Sequence, residues 1–160
     1  MTKTTPKICR YLTFTLGIET FGIDILLVQD IVQLVPITRM PRVAPYLLGL
    51  INLRGKVVPV IDLRLRFGME DGKDKVNLKR AGIIVVQVDC GHGPLSFGLK
   101  VDTVCDVLES ETESIKARPD KNQGMIDSEF MSGVVLREGG RLVILLDIIK
   151  VVTDSSLDGD

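Results

Sequence analysis

The chain has 160 residues, 45% of them hydrophobic and 26% charged, with a formal net charge of -1. A chain of this length forms one domain or two tightly fused small ones and buries roughly 70% of its unfolded surface without staples. The near-neutral balance excludes the basic face that nucleic acid requires and the polybasic signal of a membrane surface. No uninterrupted apolar run approaches the ~18 residues of a membrane helix, so direct membrane insertion is not expected.

Residues 1–7 are polar, contain a proline and lack the apolar segment of a signal peptide, so they are expected to form a flexible tail. Tyr11 to Leu16 alternates into a strand, Gly17 to Thr20 turns, and Phe21 to Ile25 returns. Leu26 to Leu34 fits a strand and a helical turn equally well. Pro36, Pro41 and Pro45 break the next stretch, and Tyr46 to Leu48 is expected to form one helical turn. Leu47 to Gly68 then holds two apolar runs flanking Arg54-Gly55-Lys56, a hairpin signal, with Asp62 ahead of a short basic-amphipathic segment.

Residues 71–80 are charged and poor in apolar side chains, a solvated loop. Ala81 to Val88 and Leu95 to Val101 are strands around a Gly91-His92-Gly93-Pro94 turn, and 110–127 is polar and irregular. Phe130 to Leu136 and Arg141 to Leu146 form a last hairpin around Gly139-Gly140. A short helix from Asp147 to Val152 and an acidic tail over 153–160 complete the chain. With 4% aromatic residues and no tryptophan, the core must be built from Val, Ile and Leu, many of them β-branched and suited to strands.

The chain repeats itself. Phe21-Gly22-Ile23 through Ile31 aligns with Phe97-Gly98-Leu99 through Val107, Leu48–Ile51 with Ser132–Val135, and Val57–Leu63 with Leu142–Ile148. The order of matches is the same in both halves, which implies two related units of about five short strands each. Five strands with intervening glycines suit a small barrel, which closes to protect its edges.

Catalytic chemistry finds little support. Asp30, Asp62, Asp106 and Asp147 fall at two equivalent places of the repeat, and Asp62 and Asp147 each stand where an aspartate caps the following turn or helix. Cys90-Gly91-His92 offers two metal ligands, short of the four that a structural site needs, and His92 is the only histidine. Neither a nucleophile elbow nor a phosphate-binding glycine loop is present. Cys9, Cys90 and Cys105 are odd in number and lack Cys-x-x-Cys spacing, which suits free thiols in a reducing cytoplasm. No metal or cofactor is expected.

Arg54 is the residue a plain hairpin does not need, because Asn-Gly or Asp-Gly turns form more readily. It is either a solvated turn residue or an anchor for a partner, since arginine joins an apolar stem to a rigid donor fork. The second unit carries Arg137-Glu138-Gly139-Gly140 where the first has Leu53-Arg54-Gly55-Lys56. A requirement of the fold should recur, so this difference points to a specific task for Arg54.

These segments resemble the bacterial chemotaxis coupling proteins, the CheW-like family, over Tyr11 to Val152. The likeness rests on Phe14-Thr-Leu-Gly17, Phe21-Gly-Ile-Asp-Ile25, Gly49-Leu-Ile-Asn-Leu-Arg-Gly-Lys-Val-Val-Pro-Val-Ile-Asp-Leu63, Val101–Leu108, Phe130–Val134 and Leu145–Ile148. It implies an all-β protein of two five-stranded SH3-like barrels packed around a shared apolar core. These would be two intertwined subdomains of one domain over 8–152, with short helices and no catalysis. It also implies a cytoplasmic adaptor between the tips of methyl-accepting chemoreceptors and the regulatory domain of the histidine kinase CheA, recruited to receptor arrays.

Carried over by position, the receptor-facing groove between the barrels would include Val28, Asp30, Ile31, Gly49, Arg54, Gly55 and Gly133, with the two repeat-equivalent glycines letting backbone approach closely. Kinase-facing residues are not assigned by the motif. Two other readings are a coupling domain of a larger chemotaxis protein, against which the polar ending at Asp160 counts, and a small β-barrel ligand sensor. A sensor requires a polar-lined pocket, whereas these strands carry aliphatic runs.

Overall fold

Strands β6 (Gly82–Asp89) and β11 (Leu142–Leu146) are apolar at nearly every position because each is buried on both faces. Ile84 and Val86 of β6 join one large cluster while Ile83 and Val85 join another. On β11, Ile144 and Leu146 enter that same large cluster, and Val143 and Leu145 enter a third. One face of each strand therefore fills its own barrel and the other face fills the layer between two barrels. The computed structural model that gives these positions describes residues 7–33, 35–41, 43–69, 81–111, 115–116, 128–137 and 139–153. The expected loop at 71–80, most of the expected tails and most of 110–127 lie outside them.

Among the described residues, one sheet runs β8 (Thr103–Glu111), β1 (Ile8–Leu16), β2 (Glu19–Asp24), β11, β10 (Met131–Leu136), β9 (Ile115–Lys116). The other runs β3 (Val28–Gln33), β6, β7 (Pro94–Val101), β5 (Lys56–Asp62), β4 (Leu47–Leu53). Neighbours are antiparallel except β2–β11 and β5–β7, which are parallel and in equivalent register: Gly22 faces Leu145 as Gly98 faces Val60. Sequence repeat and structural repeat coincide at this level.

The halves of the chain are not the barrels. After the β1–β2 hairpin the chain crosses over, and β3 pairs with β6 of the second half. After the matching β6–β7 hairpin, β8 pairs with β1 of the first half. Each barrel thus takes strands from both repeats, so neither can close without the other. The second barrel closes where Thr38, five residues past β3, exchanges two backbone hydrogen bonds of 2.8 Å with Leu50 of β4. In the first, β9 does the same for β8 by pairing Lys116 with Val134 of β10. The sixth strand of that sheet is this closing link, added to the five that the sequence leads one to expect.

Local expectations resolve in physical terms. Of the ambiguous Leu26 to Leu34 stretch, the described residues are both things in turn, a 3-10 turn at Ile25–Leu27 and then β3, with Leu34 outside the described residues. Tyr46 to Leu48 is not a helical turn: Leu47 N–H donates to the Ala44 carbonyl at 2.9 Å, closing one β-turn, and β4 begins at once. The Asp62 carboxylate accepts from Arg64 N–H at 3.0 Å and caps α1 (Leu63–Arg66). Asp147 accepts from Lys150 N–H at 3.2 Å and caps α2 (Ile148–Val152). Both aspartates are scaffold.

Candidate functional site

The Arg54 turn is a two-residue hairpin loop closed by the Leu53–Lys56 pair. Such a loop places both central residues at positive φ, and here Arg54 has φ 53° and Gly55 φ 84°. Arg54 is the one non-glycine residue with positive φ among those described. Asn52 relieves part of the strain, its side-chain oxygen accepting from Gly55 N–H at 3.0 Å. A side chain that favours the left-handed region poorly is thereby aimed out of the barrel.

The guanidinium of Arg54 reaches β3. Its Nη2 lies 3.0 Å from Asp30 Oδ2, off the hydrogen-bonding direction, so charge is compensated without a well-formed hydrogen bond. The other carboxylate oxygen accepts from Ile31 N–H at 2.8 Å. Asp30 follows a bulge between Val28 and Asp30 against β6, which re-aims the strand at this point. Ile31, next to it, keeps 46% of its surface exposed. Val28, Asp30, Ile31, Arg54 and Gly55 therefore belong to one barrel, and the ion pair holds two of its elements together.

Gly49 plays another part than the one expected. A Cβ built there would lie 2.1 Å from the Thr38 carbonyl oxygen, so the close approach is made by the chain's own closing link. Gly49 is buried and closed to a partner backbone. Gly133 occupies the matching place on β10, also buried and also beside a bulge, Met131–Gly133 matching Leu47–Gly49. Each glycine lies buried in its own barrel, Gly49 on β4 and Gly133 on β10.

The argument that Arg54 lacks a counterpart is overturned. Arg137 pairs with Asp106, Nη2 to Oδ2 at 2.9 Å and Nη1 to Oδ1 at 3.3 Å, and Asp106 is the repeat equivalent of Asp30. The β10–β11 turn, closed by Arg137 N–H on the Arg141 carbonyl at 2.7 Å, is one residue longer, which shifts the arginine by one place and hides the match. An aspartate on the bulged strand and an arginine at the hairpin turn recur in both barrels, and so serve the fold.

What differs is how each pair is held. The Arg54 and Asp30 side chains keep 82% and 20% exposure, whereas Arg137 and Asp106 keep 32% and 59%. Asp106 also takes a hydrogen bond from the Thr13 hydroxyl at 2.7 Å. Hydrogen bonds from Arg137 and then Thr13 hold its carboxyl far below the ordinary carboxylate range, against a small upward push from burial. The second pair is bound within the protein; the first presents a cation outward.

Two arginines of the basic segment turn inward, which sequence reasoning missed. Arg64 is buried and forks onto Asp102, with Nε–Oδ1 at 2.9 Å, and Gly17 N–H adds a bond to Asp102 at 2.7 Å. Burial raises the Asp102 pKa, but the bonds from Arg64 and Gly17 outweigh it and the net direction is down. Arg66 donates to the Val151 and Thr153 carbonyls at 2.8 and 2.9 Å, at the C-terminal end of α2. No sequence signal marked them, since a one-turn helix also leaves positions such as Leu65 exposed.

No group of three or more His, Cys, Asp or Glu converges for a metal among the described residues. His92 is exposed in a turn whose N–H groups at Gly91 and Gly93 bond to Asp89. The barrel interiors are packed with aliphatic side chains such as Ile51, Val58 and Val60 in one and Val143 and Leu145 in the other. No helix among the described residues is long and apolar enough to cross a membrane.

Twin interlocked barrels with filled interiors and an outward-facing charged rim define a class of β-barrel binding protein. The CheW-like domain family matches residues 10–156. The chain is 34% identical over 148 residues to the chemotaxis protein CheW of Klebsiella aerogenes, covering 92% of this chain and 84% of that one. It is 35% identical over 140 residues to CheW of Rhizobium meliloti, covering 88% and 84%. Among solved structures, the scaffolding protein TtCheW of Thermoanaerobacter tengcongensis superposes with a TM-score of 0.79 at 32% identity, covering 96% of this chain and 94% of that one. The chain belongs to the CheW-like family, and it is a non-enzymatic chemotaxis adaptor.

Proposed function

We propose that this adaptor joins the cytoplasmic tips of methyl-accepting chemoreceptors to the regulatory domain of the histidine kinase CheA, acting at membrane-associated receptor arrays. The receptor side is the rim of Val28, Asp30, Ile31, Arg54 and Gly55, together with the buried Gly49 of the same barrel and Gly133 of the other. The observation that carries this reading is the exposed Arg54 guanidinium beside exposed Ile31 and above the mostly buried Asp30. An apolar stripe flanked by an orienting charge suits a helical hairpin laid into a groove. Contacts between unlike barrel faces of adaptor and kinase can propagate, since heterologous interfaces need not close on themselves.

The test is co-sedimentation with receptor-containing membranes and capture of the purified kinase regulatory domain. Arg54→Glu is expected to lose receptor co-sedimentation while retaining the kinase domain and its melting curve. Receptor binding unchanged by Arg54→Glu rejects the rim, and absence of a kinase complex at high micromolar concentration rejects the adaptor bridge.

A further inference from the structure

Arg66 stands at the junction of the two barrels. Its guanidinium carbon lies 4.7 Å from the centre of the Tyr46 ring and 4.6 Å from that of Phe130. The two rings are equivalents in the repeat: Tyr46 precedes β4 as Phe130 precedes β10. Their backbones are used alike, since Asp62 N–H donates to the Tyr46 carbonyl at 2.8 Å and Asp147 N–H to the Phe130 carbonyl at 2.9 Å. One cation from α1 thus lies over both members of a pseudo-symmetric pair. Its nitrogens meanwhile bond to Val151, Lys150 and Thr153 carbonyls at the end of α2. Phe130 continues into a file of rings through Phe67 and Phe21 to Phe14, with neighbouring centroids 5.3, 5.8 and 5.7 Å apart, so the junction is anchored in the shared core.

Tyr46 is three residues from Gly49, and Phe130 is three from Gly133. We propose that Arg66 is a positioning residue that sets the separation of β4 and β10, and with it the width of the partner groove between the barrels. This inference rests on the receptor reading above. Arginine suits the task and lysine does not, because only a planar fork bonds several carbonyls while lying flat over rings.

The experiment measures single-residue amide exchange by NMR and binding of a purified receptor hairpin tip to the full chain. In Arg66→Met, the Asp62 and Asp147 amides are expected to exchange roughly tenfold faster, while Ile84 and Val85 in central β6 keep their rates. Hairpin affinity is expected to fall roughly tenfold, with Arg66→Lys between the two. Tyr46→Leu, which leaves the carbonyl bonds of Arg66 in place, is expected to move the same two amides and serves if Arg66→Met does not fold. Wild-type exchange at Asp62 and Asp147 overturns the proposal, and so does faster exchange with unchanged hairpin affinity. A wild-type chain that does not bind the hairpin overturns the receptor reading itself, and the inference falls with it.

Discussion

Arg54 and Asp30 stand 3.0 Å apart across the opening of one barrel, yet the cation is 82% exposed and the carboxylate only 20%. An exposed ion pair adds about 0–1 kcal/mol, too little to explain a side chain held at positive φ. Its repeat equivalent, Arg137 on Asp106, has better geometry and a further bond from Thr13. The barrel of β3 to β7 therefore accepts backbone strain and displays its guanidinium, whereas the other barrel draws its own in. Display, rather than mere presence, is what sets Arg54 apart.

Arg54→Asn separates these two roles. Asn-Gly is the preferred pair for a turn with positive φ at both central residues, so relief of strain offsets the lost ion pair. The variant is expected to melt at the wild-type temperature or above it while losing receptor co-sedimentation. A melting curve and a pelleting assay check both halves, and retained binding with raised stability returns Arg54 to an ordinary turn residue.

Arg137→Ala should cost more than Arg54→Ala in stability. Removing Arg137 takes a two-point bond from Asp106, at an expected cost of about 1 kcal/mol, against about 0–0.5 kcal/mol at Arg54. Urea titrations of the two single variants give the comparison. Equal losses would show that the unequal exposure of the pairs has no energetic counterpart.

Acid should weaken the fold through Asp106 and Asp102. Both carboxyls sit below their ordinary values in the folded chain. An unfolded aspartate titrates at about 3.9, so as pH falls through 4 the unfolded state takes up these protons first. The stabilisation is complete above that range and is lost as pH falls toward the folded values. Asp106→Asn is expected to lower the urea midpoint at pH 7 and to flatten its decline between pH 4 and pH 3. A slope as steep as wild type would remove Asp106 from the account.

Sequence carries the strands well because alternation and turn chemistry are local, and it carries the capping of α1 and α2 by Asp62 and Asp147 for the same reason. It also carries the repeat, but not the crossing of β3 and β8 between barrels, since a repeat states which residues are alike and not which edge they meet. Strand β8 hides for a related reason: Cys105, Asp106 and Val107 are all exposed, and a bulge opposite Leu12–Phe14 breaks the alternation. The pairing of Arg54 with Asp30 joins two residues that only the family resemblance had set side by side, whereas the likeness of Arg137 was masked by one added residue in its turn. Inward arginines stay illegible because charge pattern alone assigns Arg64 and Arg66 to solvent.

The Arg64–Asp102 pair offers the sharpest test of a buried charge. Side-chain exposures of 10% and 16% mean that both ions have left water, and the fork onto Asp102 with Gly17 satisfies them only together. Asp102→Asn leaves the guanidinium under-compensated in the core and is expected to cost about 3 kcal/mol. Replacing both partners by aliphatic residues removes the desolvation cost with the attraction, so Arg64→Ile with Asp102→Leu is expected to lie within about 1 kcal/mol of wild type. The repeat carries Ile149 and Leu26 at the equivalent positions, but both are exposed there, so the double variant tests a pairing that the other half does not make. Urea unfolding of the single and double variants decides the matter: a double variant as unstable as Asp102→Asn would mean that the ion pair contributes net stability rather than specificity of packing.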